Sequence, residues 1–504
     1  MRNKISTAFS QLFKFTSENL ILVVIMACVT ISILSRAYFD LSYISPDSAH
    51  YLRAAREILK GNGFYVYPEW FAAWPIGYPA LIAVVAFITR AEIYFASKIL
   101  SIIIVWIIGI LFYKRFGKTA WLYALLMLNV GFRYIFFYTW SETVFILALI
   151  LLAFTACDII TADNAPLSHY VKLTFIVLLL FLTRYIGAFA LIVVALLWLF
   201  NLYQIIKRKC KTAAKRLIYL SFSGILASLF IIAYLFLNLR QSGHMTGIPR
   251  VPPGPAREIF LDLYRAILIE MDYVFDTFFS VGTVRLSLLL WFALIGFFAY
   301  AIPKSKQAIF AREKNIITSL SFLSIGLIYW LSIIVMRFAS DFDEFGYRLL
   351  FPGSALVFVG FIGLLARNPK ITTFASKYSG KIIPAVCLSG FILVALVISP
   401  RLQGTSGYQQ TKELTLSTYA GIPDGALVLW GDTIHPLFMR DNLHVVNVEA
   451  DDLASFWAEY SEYQEIYIFI PGMKERLNEL PADSDIYAYF ADFIYYQNSF
   501  AQIR

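Results

Sequence analysis

Four ionisable side chains stand where an otherwise apolar chain should meet water. Asp47 follows an apolar run, in Ser45-Pro46-Asp47-Ser48-Ala49-His50-Tyr51, and Glu142 opens another, in Tyr138-Thr139-Trp140-Ser141-Glu142. A carboxylate beside a bilayer is costly unless it has a task. At a partly desolvated site it can act as a general base or orient a hydroxyl. Arg184 lies between apolar runs in Leu182-Thr183-Arg184-Tyr185, and Arg348 begins a third in Phe345-Gly346-Tyr347-Arg348-Leu349-Leu350-Phe351-Pro352. Guanidinium groups bind phosphate oxygens bidentately, so two of them beside two acids suit a lipid-linked phosphate.

Each residue also has a structural use. Pro46 fixes the chain ahead of Asp47, and Leu52, Ala55, Ile58 and Leu59 have helical spacing up to the stop at Gly61-Asn62-Gly63. Asp47 therefore suits a helix N-cap. Ser141 can cap the helix that Glu142 begins. Arg184 and Arg348 can be used up in internal ion pairs, with Asp341, Asp343 and Glu344 close in sequence to Arg348. Arg133 suits snorkelling to the interface. His50, Tyr51, Trp74 and Tyr185 are candidates to position a substrate, although Trp74, in Trp74-Pro75-Ile76-Gly77-Tyr78-Pro79, also suits an interfacial aromatic belt. His244, His435 and His444 have no metal-ligand spacing. A divalent ion between Asp47 and Glu142 is not favoured, so no cofactor is expected. There is no glycine-rich phosphate loop, so no nucleotide site is expected.

The elements that must hold these residues follow from composition. Of 504 residues, 59% are hydrophobic and 15% charged, which excludes an ordinary soluble domain and implies a polytopic, mainly α membrane protein. Apolar stretches near the ~20-residue crossing length fall at about 19–37, 93–113, 119–138, 142–160, 170–182, 185–206, 217–239, 283–301, 315–336, 347–366 and 382–399. A short stretch at 75–89 is read as juxtamembrane or re-entrant. With that reading, the basic segments Lys114–Lys118, Lys207–Arg216, Lys304–Lys314 and Arg367–Lys381 all fall on one side, which the positive-inside rule makes cytoplasmic. About eleven crossings result, with the N-terminus cytoplasmic and the C-terminus outside. Arg2, Lys4 and Lys14 ahead of a long apolar run read as a cytoplasmic flank rather than a cleaved signal peptide. Cys28, Cys157, Cys210 and Cys387 fall in apolar runs or a basic loop, so no disulfide is expected.

Residues 1–400 thus form a transmembrane module with an extracytoplasmic first loop at 38–92 and a Pro-rich outer loop at about 240–279. Residues 401–504 form a small extracytoplasmic α/β domain. In the tail, strand-like runs at Ala426–Trp430, His444–Val448 and Glu465–Ile470 are separated by helix-compatible segments such as Asp452–Tyr460. The tail carries a net −9 within a chain of +9, so the positive excess lies in the membrane part, and nucleic acid is not an expected partner.

The order of these features resembles the GT-C superfamily of integral membrane glycosyltransferases, which includes protein O-mannosyltransferases and lipid A aminoarabinose transferases. Ser-Pro-Asp47-Ser-Ala-His-Tyr51-Leu, Leu-Lys-Gly61-Asn-Gly63-Phe, Trp-Pro75-Ile-Gly-Tyr78-Pro79, Trp-Ser-Glu142, Leu-Thr-Arg184-Tyr185 and Tyr-Arg348-Leu-Leu-Phe-Pro352 carry the resemblance over most of residues 20–366. It implies a polyprenyl-phosphate-linked sugar donor, an inverting transfer to an extracytoplasmic glycan, lipid or protein, and a place in the bacterial cytoplasmic membrane. Asp47 matches the family base, Glu142 its second acid, and Arg184 and Arg348 the basic residues near the donor phosphate. One departure is Ser48, where the family often has Glu after the first Asp. Two other readings use the same outer charges: a transporter or flippase of lipid-linked saccharides, and an O-antigen polymerase or ligase with a lipid diphosphate donor.

Overall fold

The computed structural model of the chain describes residues 18–39, 44–66, 69–162, 165–208, 211–247, 250–275, 284–304, 313–342 and 345–379, with strands and adjoining residues of the tail at 422–430, 443–447, 466–469, 493–496 and 500–503. The helices are α1 (Leu20–Phe39), α2 (Pro46–Lys60), α3 (Gly77–Thr89), α4 (Ile93–Phe116), α5 (Ala120–Ala124), α6 (Val130–Phe137), α7 (Glu142–Thr161), α8 (Leu167–Thr183), α9 (Ala190–Arg208), α10 (Lys211–Ser242), α11 (Ala256–Phe275), α12 (Val284–Lys304), α13 (Lys314–Ala339), α14 (Tyr347–Leu365) and α15 (Pro369–Tyr378). A two-stranded ribbon, β1 (Tyr65–Val66) and β2 (Glu69–Trp70), follows α2. Seven helical segments among the described residues are long and apolar enough to cross a bilayer. In such segments every backbone polar group is satisfied within the helix. The chain is an integral membrane protein of mainly α architecture.

α7 is the central helix. It is apolar on all faces and buried along almost its whole length, packed among α4, α8, α13 and α14. α13 and α14 form an antiparallel pair at close range, where a Cβ at Gly326 would lie 2.8 Å from the Gly353 carbonyl oxygen. One end of the bundle gathers the basic segments. There Asp158 of α7 accepts from Arg115 Nη1 of α4 at 2.6 Å and meets Lys314 Nζ of α13 at 3.2 Å, and Arg115 also donates to Thr318. At this same basic end the Ile21 amide of α1 bonds the Ser379 carbonyl, and Trp121 bonds the Ala375 carbonyl of α15.

Two segments differ from a simple reading of hydropathy. The 119–138 stretch is not one helix. A 3₁₀ turn at Leu125–Leu128 and the extended backbone of buried Asn129 (φ −62°, ψ 143°) separate α5 from α6. The 75–89 stretch is α3, and both its ends lie at the end of the bundle opposite the basic one. Gly77 abuts the Leu182 carbonyl near the end of α8. Arg90 to Glu92 lead straight to α4, whose Tyr94 hydroxyl bonds the Ala37 carbonyl in the last turn of α1. The expected 283–301 crossing is α12, while the Pro-rich loop contains α11. The expected 382–399 crossing lies outside the described residues.

In the tail, β3 (Leu427–Trp430), β4 (His444–Asn447), β5 (Ile466–Phe469), β6 (Phe493–Tyr496) and β7 (Phe500–Ile503) form one sheet of order β4-β3-β5-β7-β6. β3 runs parallel to β4 and β5, and β7 runs antiparallel to β5 and β6. The first three are the strands read from sequence; the final two were not. The expected helical segment Asp452–Tyr460 lies outside the described residues. Arg53 Nη2 donates to the Leu443 carbonyl, tying the tail to α2.

Candidate active site

The site lies at the end opposite the basic loops, where four separate segments each deliver one charge. α2 delivers the first. Ser45 caps this helix, its Oγ accepting from the Ser48 amide at 3.2 Å, with Pro46 in the first turn. Asp47 is therefore not the N-cap; Ser45 is. Gly61, in the left-handed region at φ 86°, closes the helix by bonding the Glu57 and Ile58 carbonyls.

Glu142 is the first residue of α7 and has no side-chain exposure. Ser141 has helical backbone angles and makes no cap bond. Its hydroxyl instead donates to Glu142 Oε2 at 3.3 Å and accepts from Tyr51 OH at 3.2 Å. Arg184 stands where α8 ends, with extended backbone (φ −152°) ahead of the 3₁₀ turn Tyr185–Phe189. That turn folds back so tightly that a Cβ at Gly187 would fall 2.2 Å from the Leu180 carbonyl. Arg348 is in the first turn of α14.

These four residues form one connected chain. Glu142 Oε1 accepts from Arg184 Nη1 and from Arg348 Nε, the latter at 2.7 Å, and Arg348 Nη2 meets Asp47 Oδ2. Two acids and two guanidinium groups make it electroneutral, as buried charge requires. Its parts differ in exposure: Glu142 0%, Arg184 15%, Asp47 17% and Arg348 19%. Asp47 and the arginines are thus partly exposed, and Glu142 is fully buried. Of the acids near Arg348 in sequence, Asp341 pairs with Arg337, and Asp343 and Glu344 lie outside the described residues.

Trp140 underlies the arginine. Its ring lies 4.8 Å from Arg348 Cζ, its Nε1 donates to Ser45 Oγ at 2.7 Å, and Tyr138 stacks on it at 4.0 Å. One indole therefore links the α2 cap, the α7 entry and the α14 guanidinium. The 138–141 segment is held from below by Lys98 of α4, which is 1% exposed. Its Nζ donates to the Phe137 carbonyl at 2.6 Å and Thr139 Oγ1 at 3.1 Å. Sequence reading passed over Lys98, although a lone lysine in the 93–113 apolar run is itself a signal.

An aromatic wall adjoins Asp47. Trp74 lies 5.3 Å from the His50 ring and 5.8 Å from Tyr51, and Tyr51 meets Tyr78 edge-on at 5.1 Å. Burial, and secondarily the charge of Arg53, push the His50 imidazole down to about 4, so it is neutral at neutral pH. Burial, reinforced by Asp47 and Glu142, pushes the Tyr51 hydroxyl up, so it remains a donor. His50, Tyr51 and Trp74 are thus together at the site. Tyr185 is beside them but bonded elsewhere: its hydroxyl donates to the Ala72 carbonyl at 2.6 Å and accepts from Asn238 Nδ2 at 2.8 Å. It braces the loop that carries Trp74. Gly247, at φ 79°, completes that brace, lying so close that a Cβ would be 2.2 Å from Ala72 carbonyl carbon. No group of three or more His, Cys, Asp or Glu that could hold a metal is found among the described residues.

No protein-family model and no curated protein matches the sequence. Solved structures with a similar chain course include ArnT from Cupriavidus metallidurans bound to undecaprenyl phosphate, at 12% identity and TM-score 0.45, covering 97% of this chain and 98% of that one. The apo state of the same protein gives 12% and 0.44, covering 99% and 98%. The apo oligosaccharyltransferase of Archaeoglobus fulgidus gives 12% and 0.45, covering 90% of this chain and 70% of that one.

Proposed function

We propose that the protein is a GT-C-type membrane glycosyltransferase that moves a sugar from a polyprenyl-phosphate donor to a hydroxyl-bearing acceptor on the extracytoplasmic side. The observation that carries this reading is the neutral Asp47–Arg348–Glu142–Arg184 chain, partly exposed at Asp47 and the arginines and fully buried at Glu142. The acceptor oxygen attacks the anomeric carbon as the bond from that carbon to the phosphate oxygen breaks. Asp47 takes the hydroxyl proton, and polyprenyl phosphate leaves with the electron pair. Attack opposite the leaving group inverts the anomeric centre. Arg184 and Arg348 face the charge that grows on the phosphate, which fixed cations in a desolvated site stabilise strongly. Glu142, accepting from both, holds them in place. The rings of Trp74 and His50, backed by buried Tyr51, suit the apolar face of a sugar.

Asp47 is a poor base while paired with Arg348, because the cation favours its ionised form. A donor phosphate that takes over the exposed side of Arg348 releases the carboxylate beside the reacting hydroxyl. Base strength then rises only when the donor is seated.

The test compares wild type with Asp47→Asn in cells, by mass spectrometry of envelope glycans and glycolipids. One glycosylated product should vanish in the variant while its lipid-linked donor accumulates and protein amount is unchanged. General-base loss is worth about 10²–10⁴ in rate. An unchanged product profile would end the proposal. Loss of product with the donor trapped on the cytoplasmic face would point to a flippase. Reporters fused after Lys118 and Lys314 should read cytoplasmic; an outside signal would reverse the placement of the site.

A further inference from the structure

We propose that Trp140 is a positioning residue that fixes Asp47 and Arg348 relative to each other, and so keeps the base in place when the donor phosphate takes Arg348. The inference rests on the glycosyltransferase reading and adds a residue to it. Trp140 is 5% exposed, so it acts through its neighbours rather than by touching a substrate.

The edge and the face of the indole are both in use. Its Nε1–H donates to Ser45 Oγ at 2.7 Å, at the N-cap of the helix that carries Asp47. A serine hydroxyl has one hydrogen and two lone pairs. Ser45 Oγ accepts from Trp140 and from the Ser48 amide at 3.2 Å, and it stands 3.1 Å from Ser48 Oγ, which its own hydrogen can reach. The α2 cap is thus pinned to the indole as well as to its own helix. The ring lies 4.8 Å from Arg348 Cζ, within the range of a cation–π contact. The Trp140 backbone is itself anchored: its carbonyl accepts from Thr143 Oγ1 at 3.0 Å and from the Thr143 amide at 3.3 Å, in the first turn of α7. One side chain therefore joins the support of the base, the phosphate-facing guanidinium and the helix that starts with Glu142.

This link matters when Asp47 and Arg348 part. At rest the two are paired directly. Once a phosphate occupies the exposed side of Arg348, that contact between α2 and α14 is lost. Arg348 is still bonded to Glu142 through Nε and still packed on the indole. Asp47 is still held through Ser45 by the same indole. The spacing of base and phosphate is then set by a connection that the donor does not displace.

The test uses Trp140→Phe, which keeps a ring for Arg348 and loses the Nε1 donor, and Trp140→Leu, which loses both. Transfer is the initial rate, in membranes that contain donor and acceptor, of forming the product that Asp47→Asn abolishes, per amount of folded protein. Affinity for polyprenyl phosphate is titrated on the purified full chain. Trp140→Phe should slow transfer about ten- to a hundredfold, the scale of a base misplaced by about 1 Å, with affinity within about twofold of wild type. Trp140→Leu should slow transfer at least as much and also weaken affinity, by about two- to thirtyfold. A purely structural indole would give no such split. Ser45→Ala should slow transfer with affinity kept, Ser45→Thr should be slowed less, and adding Trp140→Phe to Ser45→Ala should slow it little further. Should the Trp140 variants fail to fold, the two Ser45 variants decide. Wild-type transfer in Trp140→Phe or Ser45→Ala, equal losses of rate and affinity in Trp140→Phe, or effects of Trp140→Phe and Ser45→Ala that multiply would overturn the inference. If Asp47→Asn abolishes no product, the glycosyltransferase reading fails and this inference falls with it.

Discussion

The two acids of the site should lose very different amounts of stability on neutralisation. Glu142→Gln keeps size and shape but removes the carboxylate that meets both Arg184 and Arg348. With no side-chain exposure at Glu142, water cannot replace what is lost. Two guanidinium groups are left facing an amide, and breaking a buried ion pair from one side costs about 3–5 kcal/mol. Asp47→Asn leaves Arg348 paired with Glu142 and alters a site that water partly reaches, so the cost there should be smaller, about 1–2 kcal/mol. The assay is equilibrium denaturation in mixed micelles for wild type, both single variants and the double variant Glu142→Gln with Arg184→Gln. The double variant should be less damaged than the sum of its singles, with a coupling of about 0.5–3 kcal/mol, because it removes the uncompensated cation. If Glu142→Gln unfolds with wild type while Asp47→Asn loses several kcal/mol, the division into a buried strut and an open reacting group is wrong.

Two further outcomes follow from the surroundings. Lys98→Met keeps the stem and loses the bonds to Phe137 and Thr139, so the segment presenting Trp140 and Glu142 loosens. Turnover should fall about ten- to a hundredfold with KM little changed, measured by steady-state transfer; an equal loss of stability and activity would leave Lys98 purely structural. His50 has a folded pKa lowered from 6.5 to about 4, so the unfolded chain binds its proton more readily. Its contribution is complete above pH 6.5 and is lost as pH falls towards 4, by at most about 3 kcal/mol. His50→Gln should flatten that part of the stability–pH curve, and an unchanged slope would show that other groups set it.

Much of the site was legible because charge is conspicuous in an apolar chain. Asp47, Glu142, Arg184 and Arg348 each interrupt a hydrophobic pattern, and all four converge. Their pairing was not legible. Arg348 bonds an acid 206 positions away rather than the nearer Asp341, since proximity in space is set by helix packing. The capping of α2 was misjudged: the sequence reading gave the cap to Asp47, whereas Ser45, two residues earlier, has the extended backbone of an N-cap and accepts from the Ser48 amide. Window hydropathy read 119–138 as one crossing, because averaging cannot register the break at Asn129. It likewise could not tell that α3 returns to the face it started from, which depends on contacts with α8 and the turn into α4. In the tail, β3, β4 and β5 were visible as β-branched and aromatic runs. β7 was missed because Phe500–Ile503 contains Ala and Gln and gains strand form by pairing between β5 and β6, whereas β6, Phe493–Tyr496, is an aromatic run that carried the same signal and was passed over.

Charge conservation around Asp47 leads to one more expectation. The resting chain of two acids and two arginines is neutral. A seated phosphodiester donor brings one negative charge. Transfer moves a proton onto Asp47 and leaves polyprenyl phosphate as a dianion, so the total is unchanged while its distribution is not. The product dianion then faces two arginines opposed only by Glu142, a net positive site. It should be held until Asp47 loses the proton and its returning charge competes again for Arg348. Asp47→Asn imitates the protonated state permanently. That variant should therefore bind polyprenyl phosphate more tightly than wild type at neutral pH, although it cannot transfer. Removing one like charge beside a shared guanidinium is worth about 2–3 kcal/mol at an effective dielectric of ~20, and less where water screens it, so about tenfold is expected. Titration of the purified variants with polyprenyl phosphate measures it. Weaker binding by Asp47→Asn would mean that Asp47 orients Arg348 towards the phosphate rather than competing with the phosphate for it, and release of the base by donor binding would fall with that result.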